Sequence, residues 1–163
     1  MPHLHKALSL AVMLKQKLFI LTLLTLAACN NSPYRQDFVV FEQDTRESKN
    51  NNGFKPTSTQ IDKAEQSILS YLTEKTKNNQ TILIGSLDGE VPLKEQLKYY
   101  KRRYFGQTNI LGEKTIKIEF VFVRCGGQDE WKNIEYTSNK TNGCWWTALY
   151  SIEKDCIYQL KLQ

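Results

Sequence analysis

"KTIKIEFVFV", residues 114–123, decides the fold. Ile116, Ile118, Phe120 and Phe122 recur at every second position and so share one face of a β-strand. Lys117 and Glu119 begin the opposite face, which turns apolar at Val121 and Val123. A strand that is apolar on both faces at one end belongs in the middle of a sheet. Upstream, "RRYFGQTNI" (102–110) reads as a second strand, joined through the Gly-containing "LGEK" (111–114), a connection of hairpin length. Downstream, "WKNIEYT" (131–137), "CWWTALYSI" (144–152) and "CIYQLKL" (156–162) supply three further candidate strands, separated by "SNKTNG" and "EKD". In chain order these five strands make an antiparallel meander.

Ahead of them the period changes. Ile61, Ala64, Ile68, Leu69 and Leu72 follow the 3.6-residue repeat of an amphipathic helix, with Lys63, Glu65, Gln66, Ser70 and Glu74 off that stripe. Thr59-Gln60-Ile61-Asp62 has the spacing of a capping-box variant with an acid in the first turn, and "KTKNNQ" (75–80) ends the helix. Between helix and meander, Ile82 and Ile84 fit a short strand, "SLDGEVP" reads as turns, and residues 92–98 read as a helical turn. The expected fold is α+β: residues 59–163 form one domain, an N-terminal helix packed on a curved antiparallel sheet of four to five strands.

Residues 29–58 are polar, with "ESKNNNGFKPTSTQ" (47–60) the least structured portion, and read as a flexible tether. "DFVVF" (37–41) interrupts it, either as a short strand docking on the domain or as a partner-binding peptide. Before it, Lys15 and Lys17 precede an apolar run from Leu18 to Leu26, which matches an export signal and is short for a membrane span of about 20 apolar residues. Met13 opens a compact version of the same signal, which makes it an alternative start.

Leu26-Ala27-Ala28-Cys29 resembles the lipobox of bacterial lipoproteins. The resemblance implies that residues 1–28 are a cleaved signal peptide and that Cys29 is the lipidated first residue of the mature chain. Asn30 stands where an aspartate retains inner-membrane members, so the expected site is the cell envelope, the outer membrane rather than the inner. The other reading is an ordinary secretory signal with an incidental cysteine.

Cleavage would remove both histidines, His3 and His5. A mature chain without imidazole has no Ser-His-Asp or Cys-His nucleophile pair and no histidine metal site. Cleavage also removes three of the 22 basic side chains, Lys6, Lys15 and Lys17, and no acid, leaving 19 against 17 acidic ones. A charge of about +2 gives no reason to expect nucleic acid as a partner. Neither "GSLDGE" nor "RCGGQDE" has the spacing of a phosphate or calcium loop, and no CxxC pair offers a metal site. Asp129, Glu130 and Glu135 could meet as a carboxylate cluster, though surface acids are far more often simply solvated. No cofactor, metal or catalytic residue is therefore assigned, and the reading leans away from an enzyme.

"YYKRRYFG", the Gly hairpin, the aromatic strand, Cys125 followed by Trp131, and "NGCWW" together resemble small secreted bacterial lipoproteins of cystatin-like or NTF2-like fold. That resemblance implies a helix cradled by a bent sheet and carries over no catalytic residues. The Gln-x-Val-x-Gly loop of inhibitory cystatins is missing.

Three cysteines remain in the domain: Cys125, Cys144 and Cys156. In a five-stranded meander Cys125 and Cys144 fall at opposite ends of parallel-running strands, about 20 Å apart, so Cys125 with Cys156 is the favoured pair, against three free thiols. Two stretches offer recognition. In the first, Tyr99, Tyr100, Lys101, Arg102, Arg103 and Tyr104 form a basic, aromatic strand, either a binding surface or an edge strand kept soluble by charge. In the second, Trp145 and Trp146 point to opposite faces, and the outward one, with Trp131 and Tyr136, could make a platform for a sugar or a protein.

Three functions fit. The leading one is a lipid-anchored accessory module for an envelope or extracellular protein partner, held to the membrane through Cys29. The alternatives are a ligand-binding or weakly enzymatic NTF2-like domain, and a purely structural envelope lipoprotein.

Overall fold

The structure, a computed structural model, describes residues 37–42, 52–86, 89–125, 129–134, 136 and 143–162. Residues 1–36, with Cys29 and the signal segment, lie outside the described residues, as does Glu135.

The long strands form where the period-two pattern places them. β5 (Tyr100–Thr108) and β6 (Lys114–Phe122) pair antiparallel along their full length, from Tyr100 opposite Phe122 to Thr108 opposite Lys114. β7 (Trp145–Ser151) and β8 (Cys156–Leu162) continue the meander. β6 is interior, as its two apolar faces require.

The sheet has four meander strands rather than five. "WKNIEYT" contributes a single 3₁₀ turn, Glu130–Lys132, and no strand among its described residues, so β6 pairs directly with β7. The far side of β5 is covered end to end by two short strands from the stretch that reads as tether. β1 (Phe38–Phe41) runs parallel to β5 opposite Arg102–Phe105, and β2 (Asn52–Phe54) runs antiparallel opposite Gly106–Thr108. "DFVVF" thus docks as a strand, and the sheet reaches back to Phe38. Gly106 sits where the two short strands meet β5; a Cβ there would fall 2.0 Å from the Phe54 carbonyl oxygen, so only glycine lets β2 approach.

α1 (Ser58–Lys77) lies across one face of the sheet. Its capping box is Thr57-Ser58-Thr59-Gln60, two residues before the expected one. The Gln60 amide donates to Thr57 Oγ1 at 3.3 Å, and the Thr57 amide donates to Gln60 Oε1 at 2.9 Å. The first turn carries no acid, while Lys75 and Lys77 in the last turn complement the helix dipole. Ile61, Ala64, Ile68 and Leu72 pack on Tyr104, Ile116, Ile118, Trp146 and Ala148. β3 (Leu83–Ser86) and β4 (Gly89–Pro92) form a separate hairpin, followed by the expected helical turn, α2 (Leu93–Gln96), whose Leu93 joins the same core.

The opposite face carries Val39 and Phe41 from β1, Arg103 and Phe105 from β5, Lys117, Glu119 and Val121 from β6, and Trp145 from β7. Trp131 and Tyr136, in the β6–β7 connection, fold onto it and close it with Val121 and Trp145. Both faces of the sheet are therefore covered near its centre.

The disulfide follows from the same topology. Because β6 and β7 are neighbours, the end of one and the start of the other share an edge, and Cys125 bonds Cys144 with their Cα atoms 5.7 Å apart. This corrects the Cys125 to Cys156 pairing, which depended on an extra strand between them. Cys156 is a free, half-buried thiol on β8.

Candidate functional site

The basic, aromatic strand is β5, and its place inside the sheet overturns its reading as an exposed surface. Arg102 and Arg103 are both 0 % exposed, and Tyr100 and Tyr104 are buried. Of the stretch, only Tyr99 is open, at 41 %, with Lys98 Nζ 5.0 Å from its ring centroid; Lys101 is half-buried, 5.0 Å from the Trp131 ring. The charge of this strand is held by acids that come from elsewhere in the chain.

Arg102 faces α1. Its Nε lies 3.5 Å from Glu65 Oε1, and the same oxygen accepts the Tyr104 hydroxyl at 2.7 Å. Arg102 Nη1 donates to the carbonyls of Leu97, at 2.7 Å, and Tyr100. The guanidinium stands 4.8 Å over the Phe120 ring, and its Nη2 has no hydrogen-bond partner among the described residues. Glu65 read as part of the solvent face, yet it is buried. It lies four residues after Ile61 and three before Ile68, within the apolar stripe.

Arg103 faces the other way, into a pair of ion bridges: its Nη1 is 3.0 Å from Glu119 Oε2, and Lys117 Nζ is 3.1 Å from Glu119 Oε1. Arg103 Nη1 also donates to the Tyr136 carbonyl at 2.9 Å, and Nη2 donates to those of Asn133 at 2.8 Å and Ile134 at 3.1 Å. Phe41, Phe105, Tyr136 and Trp145 surround it, each with its ring centroid within 6 Å of Cζ. The aromatic box that could have received a ligand cation is filled by the chain's own arginine, which ties the β6–β7 connection to the sheet.

The tryptophans divide as the strand period requires. Trp146 lies under α1, stacked on Phe120 with centroids 3.5 Å apart, while Trp145 faces the opposite side. Trp145 and Trp131 are nonetheless buried, at 6 % and 1 % exposure, so no outward platform exists at these three positions. Asp129 and Glu130 are exposed, and Asp129 bonds Lys132 Nζ at 2.6 Å, which holds its carboxyl below the ordinary range. Among the described residues no group of three His, Cys, Asp or Glu side chains gathers to hold a metal, and no helix is long and apolar enough to cross a membrane.

Buried phenols give the domain an alkaline limit. Burial pushes the Tyr100 hydroxyl, which donates to the Gly143 carbonyl at 2.7 Å, well above its ordinary 10.0, with Arg102 pulling weakly the other way. Tyr150 is raised by burial and by the Asp155 carboxylate to which its hydroxyl donates a hydrogen bond, and Tyr136 by burial and then by Glu130. A folded-state value raised in this way contributes its full stability below pH 10 and loses it above, because only the unfolded chain then gives up the proton. Near-ultraviolet titration should show the phenolates of these three residues appearing together with loss of tertiary circular dichroism. Complete tyrosine ionisation in a still-folded domain would contradict it.

Exposed apolar side chains are concentrated elsewhere. At the tip of the β5–β6 hairpin Ile110 is 89 % and Leu111 79 % exposed, both missed in the sequence because they read as the end of a strand and the start of a turn. Compared with protein-family models, with curated proteins and with solved structures, the chain finds no match, so any function rests on these residues alone.

Proposed function

We propose that the chain is a lipid-anchored protein of the bacterial cell envelope that serves as an accessory module for a protein partner. Leu26-Ala27-Ala28-Cys29 carries this reading, since a thiol directly after small residues is what diacylglyceryl transfer and signal cleavage require. The Cys125–Cys144 bond supports it, because such bridges persist in oxidising compartments. The finer likeness to cystatin-like or NTF2-like domains belongs to the same proposal, drawing on the long helix α1 laid over a meander. A ligand cavity between helix and sheet is the weaker reading: Trp146, Tyr100, Tyr104 and Tyr150 fill that space.

Mass spectrometry of the protein purified from its own membranes tests the anchor. The expected result is a mature chain beginning at an acylated Cys29. A chain that begins there without acyl groups, or that retains residues 1–28, would remove the anchor from the proposal.

A further inference from the structure

The β5–β6 connection is a rigid turn with an apolar tip. Asn109 Oδ1 accepts the amides of Leu111 at 2.9 Å and Glu113 at 3.0 Å, and its Nδ2 donates to Glu113 Oε2 at 2.7 Å. Two backbone bonds, Asn109 to Glu113 and Gly112 to Asn109, both 3.0 Å, close the loop, and Gly112 supplies the φ of +83° that the turn needs. A loop backbone held this way loses little freedom on binding, which favours recognition. Yet Ile110 and Leu111 pack on almost nothing in their own domain.

From these observations we infer that Ile110 and Leu111 form a docking tip that inserts into an apolar pocket of a protein partner, on the side of the domain away from the membrane. The inference rests on the proposed accessory role. The chain leading to the proposed anchor favours this direction. It enters the sheet at Phe38, level with Arg102, whereas Ile110 lies eight residues farther on, two past the end of β5, at most about 26 Å at the rise of a strand. Only nine residue steps separate Cys29 from Phe38, a reach of about 30 Å when drawn fully straight. With the sheet upright, the tip could point into the bilayer only with that segment stretched along nearly the whole sheet.

Charge points the same way. Among the described residues the neighbours of the tip are Glu113 and Lys114, with Glu153 accepting a hydrogen bond from the Lys114 amide and Lys154 next to it, a balanced set with no cationic cluster to attract anionic lipid. A neutral, two-residue aliphatic projection suits a protein pocket.

Full-length protein at native expression, carrying a photo-crosslinking amino acid at 110, at 111, or at Tyr158, an exposed site on the edge strand β8, tests this. The expected result is one protein adduct of defined mass from 110 and 111, none from 158. It should fall about ten-fold or more, the worth of burying one aliphatic side chain, when the probe is at 110 and the chain carries Leu111→Asp. Leu111→Asp should leave Tm unchanged, since the side chain supports nothing. Adducts to phospholipid, or to a second copy of this chain, overturn the tip as proposed, as does an adduct that survives Leu111→Asp. A protein adduct from 158 alone overturns the tip but keeps the accessory role; no protein adduct at any position overturns both.

Discussion

Replacing Arg103 with alanine should destabilise the domain by about 3–5 kcal/mol, the cost of removing one partner from a buried ion pair. The substitution removes the guanidinium beside Glu119 Oε2, a side chain 2 % exposed whose Oε1 keeps Lys117, and takes the donors from three carbonyls of the β6–β7 connection at once. For a domain whose total stability is of order 5–15 kcal/mol, that is a large share of it. Equilibrium denaturation of the wild type, Arg103→Ala and Arg103→Lys would measure the effect. Lysine should recover little, because a single ammonium on a shorter reach cannot serve Glu119 and the carbonyls of 133, 134 and 136 together. A loss below about 1 kcal/mol, the level of an exposed pair, would show that Arg103 is not the clamp its contacts describe.

The second large effect belongs to the disulfide. Replacing Cys125 and Cys144 together by serine should cost about 3 kcal/mol, as expected for a bridge closing a loop of 19 residues. At the entropy of unfolding of a domain of this size, Tm falls by about 10 °C or more. Reductant should reproduce the loss in the wild type and leave the double variant unmoved. A Tm indifferent to reductant would mean that the bridge contributes nothing. Because Arg103 and the bridge restrain the same connection, their effects should not add. The combined variant should lose less than the two separate losses, and a full sum would place them on independent elements.

Local pattern carried a good part of the fold. The double apolar face of 114–123, the Ile61 to Leu72 stripe, the strand in "DFVVF" and the helical turn near Leu93 are statements about neighbouring residues, and the sheet and helix stand where those patterns put them. What failed depended on pairing between distant segments. "WKNIEYT" has strand composition, but Trp131 and Tyr136 are apolar because they cap a sheet face, and one misplaced strand was enough to send Cys125 to the wrong partner. "KYYKRRYFG" failed for a related reason. Two arginines in a strand ordinarily mark an edge or a surface, and only Glu65 on the helix and Glu119 on the next strand make their burial tolerable. Glu119 stands sixteen positions along the chain from Arg103, beyond a turn, and nothing local to the arginine announces it.

The parallel strand β1 also has a consequence for how the molecule comes into being. It is made first but can pair only with β5, whose matching residues Arg102–Phe105 arrive more than sixty positions later, and β5 in turn leans on β6. A nascent chain emerging from its N-terminus therefore has no native partner for its earliest strand until most of the sequence has been synthesised. The topology leaves β1 unpaired, and the sheet open, until β5 and β6 have been made, a delay that suits passage through a narrow translocation channel for a chain exported as proposed above.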